Sequence, residues 1–141
     1  MCGRYTLIAN ANQLSERFAF DAEQIKLNPG YNIAPGQMIL AITTDDNSDH
    51  LARFMRWGLI PSWSKTANSA ARMVNARSET IHAKPSFSAA FRSRRCIIPA
   101  DGFYEWRHEN NKKIKHYVYL PKNKLFTFAG IWDSWINKMS A

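Results

Sequence analysis

The chain opens Met1-Cys2-Gly3-Arg4-Tyr5, and the residue able to do unusual chemistry is Cys2. A small second residue lets the cell trim Met1, which leaves cysteine at the amino terminus. A thiol and a primary α-amine then belong to one residue, as a 1,2-aminothiol. The amine condenses with an aldehyde to an imine, and the thiol closes the imine to a five-membered thiazolidine. Both groups ordinarily titrate near neutrality, the amine at roughly 8 and the thiol at roughly 8.5. If Met1 stays, the amine is tied up as an amide and no thiazolidine can form. Position 2 also simply accommodates a small residue, so Cys2 alone does not decide the function.

Composition narrows the setting. The 141 residues suit one domain, with 45% hydrophobic and 21% charged residues, the balance of a globular protein. No segment has the apolar length of a membrane span and no leader precedes Cys2, so a cytoplasmic, nucleoid-associated protein is expected, or a nuclear one in a eukaryote. Cys2 and Cys96 are poor disulfide candidates there. They lack ligand spacing with His50, His82, His108 and His116, so neither metal nor cofactor is expected. Nineteen Lys and Arg against eleven Asp and Glu give a net charge of +8. That excess favours an anionic partner, nucleic acid first. Five tryptophans among the basic residues suit a surface that grips phosphates and stacks bases.

The elements that must position these residues are short. Asn10 to Phe20 reads as an amphipathic helix with Leu14 and Phe18 inward. Asn28-Pro29-Gly30 breaks the chain, Tyr31 to Gly36 is extended, and Gln37–Thr43 and Leu51–Trp57 are strands. Pro61 to Ala70 is a loop, Met73 to Ala76 a short strand, and Pro85 to Arg92 a second helix burying Phe87 and Phe91. Arg95–Pro99 and Phe103–Arg107 flank an Asp101-Gly102 turn. A hairpin tip at His108–Lys113 leads to strands at Ile114–Leu120 and Leu125–Trp132, joined at Pro121–Lys124. The expected fold is α+β, a β-dominated curved sheet or partial barrel with two short helices. The chain then runs from Trp135 to Ala141.

Six blocks line up in order: Met1–Tyr5, Tyr31-Asn32-Ile33-Ala34-Pro35-Gly36, Arg56-Trp57-Gly58-Leu59-Ile60-Pro61, Val74-Asn75-Ala76-Arg77-Ser78-Glu79-Thr80, Cys96 to Trp106, and Phe128-Ala129-Gly130-Ile131-Trp132. Together they resemble the SRAP family, the SOS response-associated peptidase or abasic-site processing proteins. The resemblance implies binding to single-stranded DNA and a thiazolidine crosslink between the amino-terminal cysteine and the aldehyde of an abasic site. That crosslink shields the lesion in the DNA damage response. Lyase activity and self-removal of Met1 are further family expectations. Residue by residue, Cys2 is the implied nucleophile, Asn75 and Glu105 complete the catalytic site, and Arg77 holds a phosphate.

Residue chemistry is compatible with those roles. An abasic sugar is mostly a closed hemiacetal, so a group must move a proton to open it. Glu105 can do so, with Tyr104 and Trp106 expected to keep its carboxyl partly protonated. Asn75 can orient the amine or sugar, or merely cap a turn. Arg77 suits phosphate oxygens, or pairs with Glu79. Arg4 is a second phosphate contact, and Trp57, Trp63 and Trp106 are candidate stacking residues, with Trp57 and Trp132 favouring the core. The Arg92, Arg94 and Arg95 run defaults to a solvated face.

The likeness departs in one respect. The family's Ile-His-x-Arg-Met-Pro-type block has no counterpart here, and His82, His108 and His116 lie in other contexts. The expectation is one SRAP-like domain over residues 1–141 lacking the family's C-terminal third, monomeric, and slower in crosslinking rather than inert. Two other readings stay open: an N-terminal-nucleophile peptidase or amidohydrolase using Cys2 with its own amine as base, and a non-catalytic DNA-binding fragment.

Overall fold

The computed structural model describes residues 2–67, 70 and 73–136. Met1 and the tail from 137 to 141 lie outside the described residues, so neither the fate of Met1 nor the end of the chain enters the structural account.

In chain order the elements are β1 (Arg4–Leu7), α1 (Ala11–Phe18), β2 (Gly30–Ile33), β3 (Met38–Thr44), β4 (His50–Arg56), α2 (Ser88–Ser93), β5 (Arg95–Ala100), β6 (Gly102–Glu109), β7 (Lys112–Tyr119) and β8 (Phe126–Ile131). They form two antiparallel four-stranded sheets, ordered β2-β1-β6-β7 and β4-β3-β5-β8. The expected β-dominated architecture with two short helices is present, as two open sheets rather than a closed barrel.

Local chemistry accounts for the elements. The apolar run of β3 is buried from Ile39 to Thr43 because β3 lies between β4 and β5. Helix α1 starts on a capping box, in which the Asn10 side chain accepts from the Gln13 amide and the Gln13 side chain accepts from the Asn10 amide, each at 3.0 Å. It buries Leu14 completely, while Phe18 packs against the core margin. The β6–β7 hairpin turns at Asn110 and Asn111, both left-handed at φ 48° and 60°, the pairing that matches the twist of the strands. Tyr5 and Leu7 from one sheet meet Ile39, Leu40, Ile42 and Ala100 from the other, so the core lies between the sheets.

The expected Asp101-Gly102 turn does something other than close a hairpin. It carries the chain from one sheet to the other, so β5 and β6 do not pair. Buried Asp101 accepts hydrogen bonds from the Thr6 hydroxyl, the Ile8 amide and, at 3.3 Å, the Ala9 amide. The Asp101 amide donates to the Thr6 carbonyl at 3.1 Å, and Thr6 Oγ1 lies 2.8 Å from Tyr117 Oη. A Cβ at position 102 would fall 2.1 Å from that same oxygen, so a side chain there would displace the Tyr117 ring from Thr6.

Two further expectations are corrected, and one connection is specified. Met73 to Ala76 is not a strand: its backbone makes isolated bonds, such as Leu59 N to Met73 O at 3.0 Å, rather than a ladder. The second helix begins at Ser88, because Pro85 to Phe87 form a turn, and Phe91 is 37% exposed although Phe87 is buried. The strands either side of Pro121–Lys124 belong to different sheets.

The Asp101 carboxylate thus gathers the Thr6 hydroxyl and the Ile8 and Ala9 amides at the end of β1. Asp101→Ala should lower unfolding free energy by about 3 kcal/mol, read as a shift of the urea midpoint with an unchanged slope.

Candidate active site at the amino terminus

Strand β1 lies inside its sheet, flanked by β2 and β6, so the residues just before it are delivered to a fixed place. The register pairs Arg4 with Tyr104 and Tyr5 with Phe103, which brings the start of the chain alongside Glu105. Cys2 is half-buried and packs against the core. Its thiol donates to the Arg4 carbonyl at 3.3 Å.

Asn75 reaches Cys2 from a loop, and its Nδ2 donates to the Cys2 carbonyl at 2.8 Å. Trp57 holds that loop: its Nε1 donates to the Val74 carbonyl at 2.9 Å, and its ring meets Tyr5 edge-on at 5.5 Å. A continuous path therefore runs from Asn75 through Trp57 and Tyr5 back to Cys2. Trp57 belongs to this scaffold and not to an exposed stacking surface.

Burial pushes the Cys2 thiol above its ordinary value of 9.0, opposed by hydrogen bonding with the Arg4 backbone and reinforced by the Glu105 charge. The buried Tyr5 phenol is raised further, by burial first and then by the Cys2 charge. Its Oη has no hydrogen-bond partner among the described residues. Cys96, also a free thiol, is pushed by burial to about 11, leaving Cys2 as the more readily ionised sulfur.

The implied residues separate into two groups. Cys2, Asn75 and Glu105 come together. Arg4 and Trp106 lie on the other face of their sheet from Glu105, since Arg4 pairs with Tyr104 and Trp106 follows Tyr104 by two positions. Arg4 donates to Asn32 Oδ1 at 3.0 Å, a neutral partner, and Trp106 is 40% exposed. Arg77 is exposed one residue beyond Ala76, and among the described residues it makes no ion pair with Glu79. Trp63 is exposed and Trp132 half-buried. Arg94 is not on a solvated face: it pairs with Asp133 at 3.2 Å.

The expected apolar walls of Glu105 do not follow from strand geometry. Tyr104 and Trp106 project from the opposite side of β6, whereas the residue directly across the ladder from Glu105 is His116. Sequence reasoning also passed over Tyr5, whose only signal was its three-residue distance from Cys2. Among the described residues no group of three His, Cys, Asp or Glu side chains is placed to hold a metal, and no helix is long and apolar enough to cross a membrane.

Because the Glu105 charge raises the Cys2 thiol, Glu105→Gln should lower its midpoint. The check is the pH dependence of Cys2 alkylation in a Cys96→Ala background. The expected midpoint lies above 9.0 in the parent and moves to lower pH in the variant.

Comparison with known proteins places this geometry in context. The chain is 44% identical over 138 residues to the abasic site processing protein YoqW of Bacillus subtilis (strain 168), covering 96% of this chain and 61% of that protein. It is 30% identical to the abasic site processing protein HMCES of Gallus gallus, covering 96% of this chain and 52% of the relative. A crystal structure of a protein from Bacteroides thetaiotaomicron superimposes with a TM-score of 0.85 at 31% identity, over 99% of this chain and 63% of that one. The chain thus spans about three-fifths of the length of the bacterial relatives it matches. The sequence pattern of the SOS response associated peptidase (SRAP) family matches residues 1–141, and the chain belongs to that family.

Proposed function

We propose that this chain, once Met1 is removed, binds single-stranded DNA at abasic sites and joins covalently to the sugar aldehyde through Cys2. The observation that carries the reading is the convergence of Asn75 and Glu105 on the residue that becomes the amino terminus. The names of the relatives, abasic site processing proteins, support it.

In this reading the free α-amine adds to the aldehyde carbon to give a carbinolamine, and loss of water leaves an imine. The Cys2 thiol then adds to the imine carbon, its proton passing to nitrogen, and the thiazolidine closes. Asn75 holds the Cys2 carbonyl, fixing the rotation of the residue that carries both reacting groups. Glu105 moves the proton needed to open the hemiacetal and expel water. Arg4 and Arg77 hold phosphates flanking the lesion and Trp106 stacks on a neighbouring base. The product protects the lesion in the DNA damage response, wherever DNA is housed in the cell, and the protein works as a monomer without a metal.

The family description favours one other reading, a cysteine peptidase in which the same thiolate attacks an amide carbonyl. It predicts hydrolysis of a peptide and no lasting adduct with DNA.

Intact mass separates the two. Mature chain incubated with single-stranded DNA bearing one abasic site should gain the mass of the DNA less one water, and Cys2→Ala should abolish the stable adduct. Glu105→Gln should slow its formation by roughly 10²–10⁴, and Asn75→Ala by roughly 10–10². Turnover of a peptide without any adduct would replace this reading with the peptidase one.

A further inference from the structure

A cavity of about 730 Å³ lies beside Cys2, within the range that small-molecule sites occupy. Its walls include Met38, Phe54, Trp57, Met73, Phe87 and Phe91, drawn from β3, β4 and its flank, the loop that carries Asn75, and the second helix region. Cys2, Trp57 and Asn75 stand at one end of the cavity; a deoxyribose between two phosphates is polar, and nothing in the reading above uses the apolar remainder. Of the charged and polar residues on the cavity wall, Arg56, Arg95 and Ser134 are exposed and Asp133 is paired with Arg94. That leaves, close to Cys2, the Asn75 side chain already engaged with the Cys2 carbonyl and the buried Tyr5 hydroxyl without a partner among the described residues. A ligand that matches such a chamber has an apolar body and one small polar head able to accept a hydrogen bond.

We infer that the chamber is a binding site for small apolar aldehydes, which Cys2 condenses to a thiazolidine in the absence of DNA. The inference rests on the proposed removal of Met1 and on the aminothiol chemistry of Cys2, and it adds a second substrate class to that residue. The bonds balance without a co-reactant. The aldehyde carbon gains one bond to nitrogen and one to sulfur, and its oxygen leaves as water with one hydrogen from the amine and one from the thiol. The alkyl or aryl body enters the chamber, while its carbonyl oxygen offers Tyr5 an acceptor.

The test uses the mature chain, its lack of Met1 verified by mass, with propanal, pentanal and heptanal. The readout is the second-order rate of appearance of the protein-plus-aldehyde-less-water species. In the folded chain the rate should rise about three- to four-fold per added methylene, the increment of burying one such group, and stay flat for the free peptide Cys-Gly-Arg. Phe91→Asp, a change at a partly exposed wall residue, should flatten the series, as should Met73→Trp, which fills the space. Both variants should still couple to abasic DNA. A flat series in the parent chain, or a slope untouched in both variants while they remain folded, would overturn the inference. Abasic-DNA coupling with a flat aldehyde series would overturn it alone. A steep series without DNA coupling would support it and overturn the DNA reading instead.

Discussion

The two sheets are joined at one buried carboxylate, and the site depends on that junction. Asp101 leaves β5, gathers the Thr6 hydroxyl and the Ile8 and Ala9 amides, and hands the chain to β6 at Gly102. Those contacts fix the far end of β1, and pairing with β2 and β6 fixes its length. Only because β1 is so constrained does a residue at the very start of the chain sit in a defined, half-buried place. Chain termini are ordinarily poorly ordered unless a strand or docked helix ties them down. Here the tie is an inner strand of a sheet, which spares Cys2 much of the ordering entropy that a floating amino terminus would lose on reaching its substrate.

From this constraint the chemistry follows. Burial raises the Cys2 thiol and a neighbouring carboxylate lifts it further, the opposite of the shift found where cations or helix amino termini lower a thiol's pKa. Asn75 contributes orientation, and its own position depends on Trp57, which ties the loop to Tyr5. The Asn75 amide and the core are therefore not separable: loosening the aromatic contact would misplace the amide.

Much of this was legible from residue types. Leu14 and Phe18, four apart, announced α1, the apolar run from Gln37 to Thr43 announced β3, and the polar stretch from His108 to Lys113 announced the hairpin. What was not legible is partner choice. Nothing local distinguishes an Asp101-Gly102 turn that closes a hairpin from one that crosses between sheets; the distinction lies in Asp101 meeting amides more than 90 positions away. Met73 to Ala76 has strand-like composition, but its bonds are spent one at a time on Leu59 and Trp57. The site shows the same division. Cys2, Asn75 and Glu105 were nameable from blocks of sequence, whereas the surroundings of Glu105 were misjudged because adjacent residues in a strand face opposite ways and the true neighbour, His116, comes from the next strand.

The central claim is that the amine and the thiol of Cys2 are both consumed in one product. The direct measurement is peptide mass after trypsin and nuclease digestion of the DNA adduct, with and without prior borohydride. The account predicts a modified Cys2-Gly3-Arg4 peptide whose mass borohydride does not change and whose sulfur resists alkylation. A gain of two hydrogens on reduction, an alkylatable sulfur, or a linkage on any lysine would contradict it, because each would mean an imine or a different nucleophile in place of the ring.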